Sequence, residues 1–158
     1  MTASIVLLTE QALAASDAER LVRLHADDHP SYRVLVPADT QRSLLADVLD
    51  HLSLLELREA LEAARHHDEG RRTQAGKALE ASLTELRGVG VPADGEVVQG
   101  DPVAALEKEL STRAADEVVI VTRPHAVEDT FHTDWASRAR ERLGVPVLHV
   151  YAGSSWLG

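Results

Sequence analysis

Asp116-Glu117-Val118-Val119-Ile120-Val121-Thr122-Arg123 is the stretch on which the fold turns. Its centre is a short, continuous apolar run of β-branched residues, the pattern of a strand buried on both faces. Such a strand needs helical layers above and below it. On the upstream side, Gly100-Asp101-Pro102 announces a helix. Asp101 can accept from the orphan amides as N-cap, and Pro102 suits the first helical position, where its missing N–H costs nothing. Val103, Leu106 and Leu110 supply the apolar stripe. Downstream, Trp135 to Leu143 reads as a helix capped by Gly144, with Thr133 as its N-cap, and Pro146 to Tyr151 as a strand.

Further upstream the same alternation recurs. Ile5-Val6-Leu7-Leu8 is a first buried strand, and Ser16-Asp17-Ala18-Glu19 has the form of a capping box that opens a helix over Asp17 to about Asp27. Tyr32-Arg33-Val34-Leu35-Val36, closed by Pro37, is a second strand, and Thr40 caps a short helix through Leu49. A second capping box, Ser53-Leu54-Leu55-Glu56, opens a long helical tract ending at Gly88. Within it, His66-His67-Asp68-Glu69-Gly70-Arg71-Arg72 is polar on every face, so this part projects into water or hinges near Gly70. Glu96-Val97-Val98 is a third strand. The order β-α-β-α-β-α-β-α-β with apolar strands predicts one three-layer α/β/α domain over residues 1–158, its parallel sheet lying between helices.

Composition excludes several functions. Lys and Arg number 16 against 26 Asp and Glu, a formal charge of −10. Phosphate backbones would be repelled, so nucleic acid is not expected as a partner. Cysteine is absent, which removes thiolate catalysis, cysteine-ligated metal sites and disulfide scaffolds. Membrane spans require roughly 18 consecutive apolar residues, and no run here approaches that. The N-terminus lacks a basic region and Glu10 interrupts the first apolar stretch, which disfavours a secretory signal and makes the cytoplasm the expected location.

In open α/β sheets ligands bind beyond the carboxyl ends of the strands, where strand order reverses. That rule selects Thr9, Glu10 and Gln11 after the first strand, Asp39 after the second, and Thr122, Arg123, Pro124 and His125 after the fourth. Arg123 is the strongest candidate, because a guanidinium there can hold a phosphate or carboxylate bidentately. The competing reading is an ion pair with Glu10, Glu128 or Asp129. Asp129 and His132 could share a helical face for a metal, but solvated loop residues are the commoner case, and no metal is expected. Phosphate-loop, dinucleotide and nucleophile-elbow motifs are all missing.

Gly100-Asp101-Pro102, the Asp116–Arg123 stretch and Gly144-Val145-Pro146-Val147-Leu148-His149-Val150 together resemble the C-terminal half of the universal stress protein family. The resemblance implies a Rossmann-like or flavodoxin-like five-stranded sheet of order 3-2-1-4-5 and a homodimer. The family's ATP-binding branch carries glycines after the fourth strand and an aspartate after the first. Here Val121, Pro124 and Thr133 stand near the glycine positions, and Thr9 or Glu10 replaces the aspartate. Proline offers no amide to an anion. The expectation is therefore a non-catalytic binding or regulatory module without ATP or AMP as cofactor. The alternative is a nucleotide- or anion-binding, slowly ATP-hydrolysing stress protein with a site rearranged around Arg123.

In that strand order the fifth strand is an edge. Val147-Leu148-His149-Val150-Tyr151 is apolar and carries no blocking lysine or proline, and Trp156 in the following tail is an apolar anchor, so pairing of two copies is expected here.

Overall fold

The computed structural model describes residues 2–38, 54–124 and 130–154. Five strands form one parallel sheet: β1 Ser4–Thr9, β2 Ser31–Pro37, β3 Ala93–Val98, β4 Glu117–Thr122 and β5 Val147–Tyr151. Their order is β3-β2-β1-β4-β5, as expected. The helices among the described residues are α1 Ala15–Leu24, α2 Leu54–Gly88, α3 Pro102–Thr112 and α4 Thr130–Arg142, with a 3-10 turn at Ala26–Asp28. The expected helix from Thr40 to Leu49 lies outside the described residues, as does Ser53 of the second capping box.

Strand alternation assigns each side chain to a layer. Ile5, Leu7, Val34, Val36, Val119 and Val121 face α1 and α2, while Val6, Leu8, Leu35, Val118 and Ile120 face α3 and α4. Both faces are covered, which explains why the strands are apolar without alternation. Each such side chain is at most 1% exposed and contributes roughly 1.5–3 kcal/mol by leaving water.

Glycine matters most at Gly95, in the middle of β3. A Cβ there would run into the Val34 main-chain carbonyl oxygen and meet Leu79 Cδ1 at 2.8 Å, so the close approach of β2 admits only a glycine here. Gly144 adopts φ 65° after α4, the left-handed conformation its position requires.

α2 is continuous for 35 residues, about 52 Å at 1.5 Å per residue, and runs through Gly70 without a break. Among its described side chains the buried apolar ones are Ala75, Leu79, Leu83 and Leu86, and those described from Glu56 to Glu69 are exposed. Of the two alternatives, the hinge near Gly70 is the one overturned. No described helix is long and apolar enough to cross a membrane.

Three local expectations are corrected. The Ser16 capping box does not form: α1 starts at Ala15 with Ala14 as N-cap and no side-chain cap, so Ser16 lies inside the helix, and Asp17 is turned inward to a tertiary partner. α1 also ends at Leu24, three residues early, at His25, whose ring bonds the Leu21 carbonyl at 2.8 Å. Thr133 is not the N-cap of α4, which begins at Thr130. The Asp101 cap is as expected, its Oδ2 accepting from the Ala104 amide at 3.1 Å.

Candidate functional site

The chain leaves β1 for β2 on one side and reaches β4 on the other, so the order reverses between the carboxyl ends of β1 and β4. Thr9 of β1 pairs in register with Val121 of β4, which brings the residues just beyond both strands together. Glu10, Gln11 and Arg123 meet there.

The Arg123 main-chain N–H donates to Glu10 Oε1 at 2.7 Å. The Arg123 guanidinium donates through Nε to Gln11 Oε1 at 2.5 Å and lies 3.9 Å from Glu10 Oε1. The Glu10 side chain is 6% exposed, that of Arg123 50%. Of the three ion-pair partners named above, Glu10 is therefore the one in place; Glu128 and Asp129 lie outside the described residues.

The two threonines are committed elsewhere. Thr9 is buried, donates to the Gln11 carbonyl at 2.7 Å, and so folds the turn after β1. Thr122 is buried, with Oγ1 2.8 Å from His149 Nε2. Asp39, His125 and Trp156 lie outside the described residues. His149 and Val150 are buried within their own protomer, while Val147, Leu148 and Tyr151 are half-buried. Pairing along β5 would then use its main-chain edge and these half-buried positions.

Sequence reading missed two charged clusters at the opposite, amino ends of the strands. His25 Nε2 lies 3.1 Å from Glu117 Oε2, and its Nδ1 3.2 Å from the Tyr32 hydroxyl. Burial, with the Glu117 charge adding to it, raises the Tyr32 pKa well above 10. Beside it a cavity of about 310 Å³ is lined by Tyr32, Arg33, Asp94, Glu109 and Arg113 among others. Arg33 is held there by Glu109 at 3.0 Å, Glu96 at 3.0 Å and Asp94 at 3.6 Å. Burial opposes the Arg33 charge, but the Glu109 hydrogen bond and the three carboxylates outweigh it and raise its pKa. These charges satisfy one another, so the cavity offers a ligand no uncommitted cation. The only sequence signal was an arginine and a histidine placed beside apolar core positions. Among the described residues no group of three or more acids and histidines could hold a metal.

No model of a known protein family matches the chain, and no curated protein matches it in sequence. Solved structures do. A universal stress family protein from Burkholderia pseudomallei is 17% identical, with a TM-score of 0.56 over 92% of this chain and 94% of that one. A universal stress protein in complex with cAMP is 14% identical, with a TM-score of 0.57 over 96% and 98%. A family member from Arabidopsis thaliana with AMP bound is 14% identical, with a TM-score of 0.54 over 96% and 93%. The fold is that of the universal stress proteins. The resemblance first carried by the C-terminal half thus extends in fold over nearly the whole chain. Within that universal-stress-protein fold, Val121 is a buried core residue of β4, Pro124 is exposed just past Arg123, and position 133 lies inside α4.

Proposed function

We propose that this chain is a non-catalytic binding or regulatory module of the universal-stress-protein type, with its ligand position between the carboxyl ends of β1 and β4. The observation that carries this is the convergence of Glu10, Gln11 and Arg123 on that crevice, where the topology itself forms a cleft. Charged and amide side chains serve recognition there, whereas the hydroxyls of Thr9 and Thr122 are committed to structural hydrogen bonds. Thr122 and His149 do set a hydroxyl against an imidazole, but both are buried, 1% and 2% exposed, and out of reach of a substrate.

A second reading has specific support. Structures of this fold hold cAMP, AMP and dAMP, which favours a nucleotide or another small anion as ligand here too. In this chain such a ligand meets Arg123 and Pro124 instead of a run of glycine amides. Isothermal titration of the parent and Arg123→Ala with ATP, AMP and cAMP separates the readings. Absence of heat with all three supports a module whose ligand is not a nucleotide. Saturable binding lost in Arg123→Ala supports the second reading, and binding indifferent to Arg123 rejects the crevice as the site.

We further propose that two copies pair along the β5 edge, since β4 is its sole strand neighbour in the described sheet.

A further inference from the structure

Glu10 presents an unusual combination: a carboxylate at the mouth of the crevice with only 6% of its side chain in water. Burying a carboxylate is costly unless donors replace the lost water. Here they come from the far side of the crevice. The Arg123 amide points at Oε1 from 2.7 Å and the Arg123 guanidinium stands 3.9 Å from the same oxygen. A main-chain N–H donating to an oxygen, with a guanidinium charge close by, is an arrangement that also suits a phosphate oxygen. Pro124, next in the chain, contributes no amide, so the Arg123 amide is the donor and its guanidinium, whose Nε–H goes to Gln11, adds positive charge at 3.9 Å.

We infer that Glu10 is a built-in competitor for an anionic ligand: its carboxylate fills the oxygen position at Arg123, and a phosphoryl group enters only when Glu10 is displaced. This rests on reading the crevice as the ligand site. The competition follows from charge and space. A phosphate oxygen cannot share the Arg123 amide with the carboxylate oxygen already on it, and two anions side by side repel. Gln11 reinforces the resting arrangement by accepting from the same Nε that stands 3.9 Å from Glu10, which fixes the guanidinium beside the carboxylate. Glu10 is joined to the crevice by flexible side-chain torsions, so its departure requires no movement of β1. The ligand chemistry is a phosphoryl oxygen, whether from free phosphate or from a nucleoside monophosphate.

The test is isothermal titration of inorganic phosphate and of AMP into the parent, Glu10→Gln, Glu10→Ala and the double variant Glu10→Gln/Arg123→Ala, with circular dichroism melts verifying folding. Gln keeps the shape of Glu and removes its charge, while Ala empties the position, so either variant suffices if the other fails to fold. Each single variant should bind phosphate about tenfold or more tightly than the parent, the worth of one charge-assisted hydrogen bond. The double variant loses the guanidinium but keeps the position-123 amide, so it should bind phosphate more weakly than Glu10→Gln while retaining part of the gain. A larger gain for AMP than for phosphate identifies a nucleotide as the source of the phosphoryl group, and an equal gain identifies phosphate itself. Equal binding by parent and Glu10→Gln, or none by either, overturns the competitor role. If that equal binding still depends on Arg123, the crevice survives as the site. Phosphate binding by the double variant as tight as by Glu10→Gln overturns both.

Discussion

The Asp17 carboxylate accepts a hydrogen bond from the Gly153 main-chain amide at 2.9 Å, fastening the first turn of α1 to the turn that follows β5. Arg20 completes the clasp, its NH2 lying 3.5 Å from Asp17 Oδ1 and donating to the Tyr151 carbonyl at 3.1 Å. Asp17 is 3% exposed, so these donors stand in for the water its carboxylate lacks. Gly153 has φ 70°, a conformation that aims its amide at α1 and that glycine adopts without strain.

Removing the carboxylate should therefore be expensive. Asp17→Ala leaves the Gly153 amide and the Arg20 guanidinium each short of one partner, at a cost of about 1–3 kcal/mol. Asp17→Asn keeps the acceptor oxygen and should lose less. Thermal melts of both variants check this, and an Asp17→Ala protein as stable as the parent would show that the clasp carries no weight.

Two glycines should respond in opposite directions to alanine. At Gly95 the added methyl meets the Val34 carbonyl and Leu79, and the overpacking should cost about 1–3 kcal/mol or more. Gly76 lies inside α2 with nothing within 4 Å of a Cβ, so Gly76→Ala should stabilise by about 0.5–1 kcal/mol through helix propensity. Chemical denaturation of the pair reads both signs, and a neutral Gly95→Ala would contradict the close approach of the Val34 carbonyl to Gly95.

Asp101 provides an acid-sensitive contact. The bidentate Arg138 hydrogen bonds, at 3.0 and 2.7 Å, lead the effects that lower its pKa below 3.8, with the Ala104 amide assisting. A carboxyl whose pKa is lower folded than unfolded adds stability above its unfolded pKa and loses that contribution as pH falls through the folded value. Asp101→Asn keeps a capping side chain but drops the charge. The parent should melt above the variant at pH 7, and the gap should close as the pH is taken below about 3.9. A gap of constant size would assign the difference to something other than the Asp101 charge.

The architecture was legible because burial on both sheet faces leaves apolar runs that no helix pattern imitates, as at Ile5–Leu8 and Val118–Val121. The Asp101 cap was legible too, since its partners are three residues away. What could not be read was tertiary competition. Ser16 and Glu19 have the spacing of a capping box, but Asp17 between them is drawn 136 residues along the chain to Gly153. At the candidate site the loops beyond β1 and β4 were legible, and Glu10 stood among three acids that could pair with Arg123. Its choice rests on the Thr9–Val121 register, which no local pattern encodes. The Thr122–His149 bond and the His25, Tyr32 and Glu117 cluster were missed for the same reason.

For the proposed dimer, Ala152 to Ser154 are tied to their own protomer through the Thr122 carbonyl, Asp17 and Tyr151. A disruptive variant should therefore spare them. Leu148→Lys combined with removal of residues 155–158 should run as a monomer by light scattering, against a parent at twice its chain mass of 17.1 kDa. A parent that is monomeric at about 100 µM ends the proposal.

The most direct measurement of the central claim, the proposal that this chain of universal-stress-protein fold is a binding module that does not take ATP, is the melting temperature of the parent with and without millimolar MgATP. A ligand at 100 times its dissociation constant stabilises by about 2.7 kcal/mol, or roughly 5–10 °C for a chain of this size. An unchanged melting temperature is the expected result. A clear upward shift would contradict it.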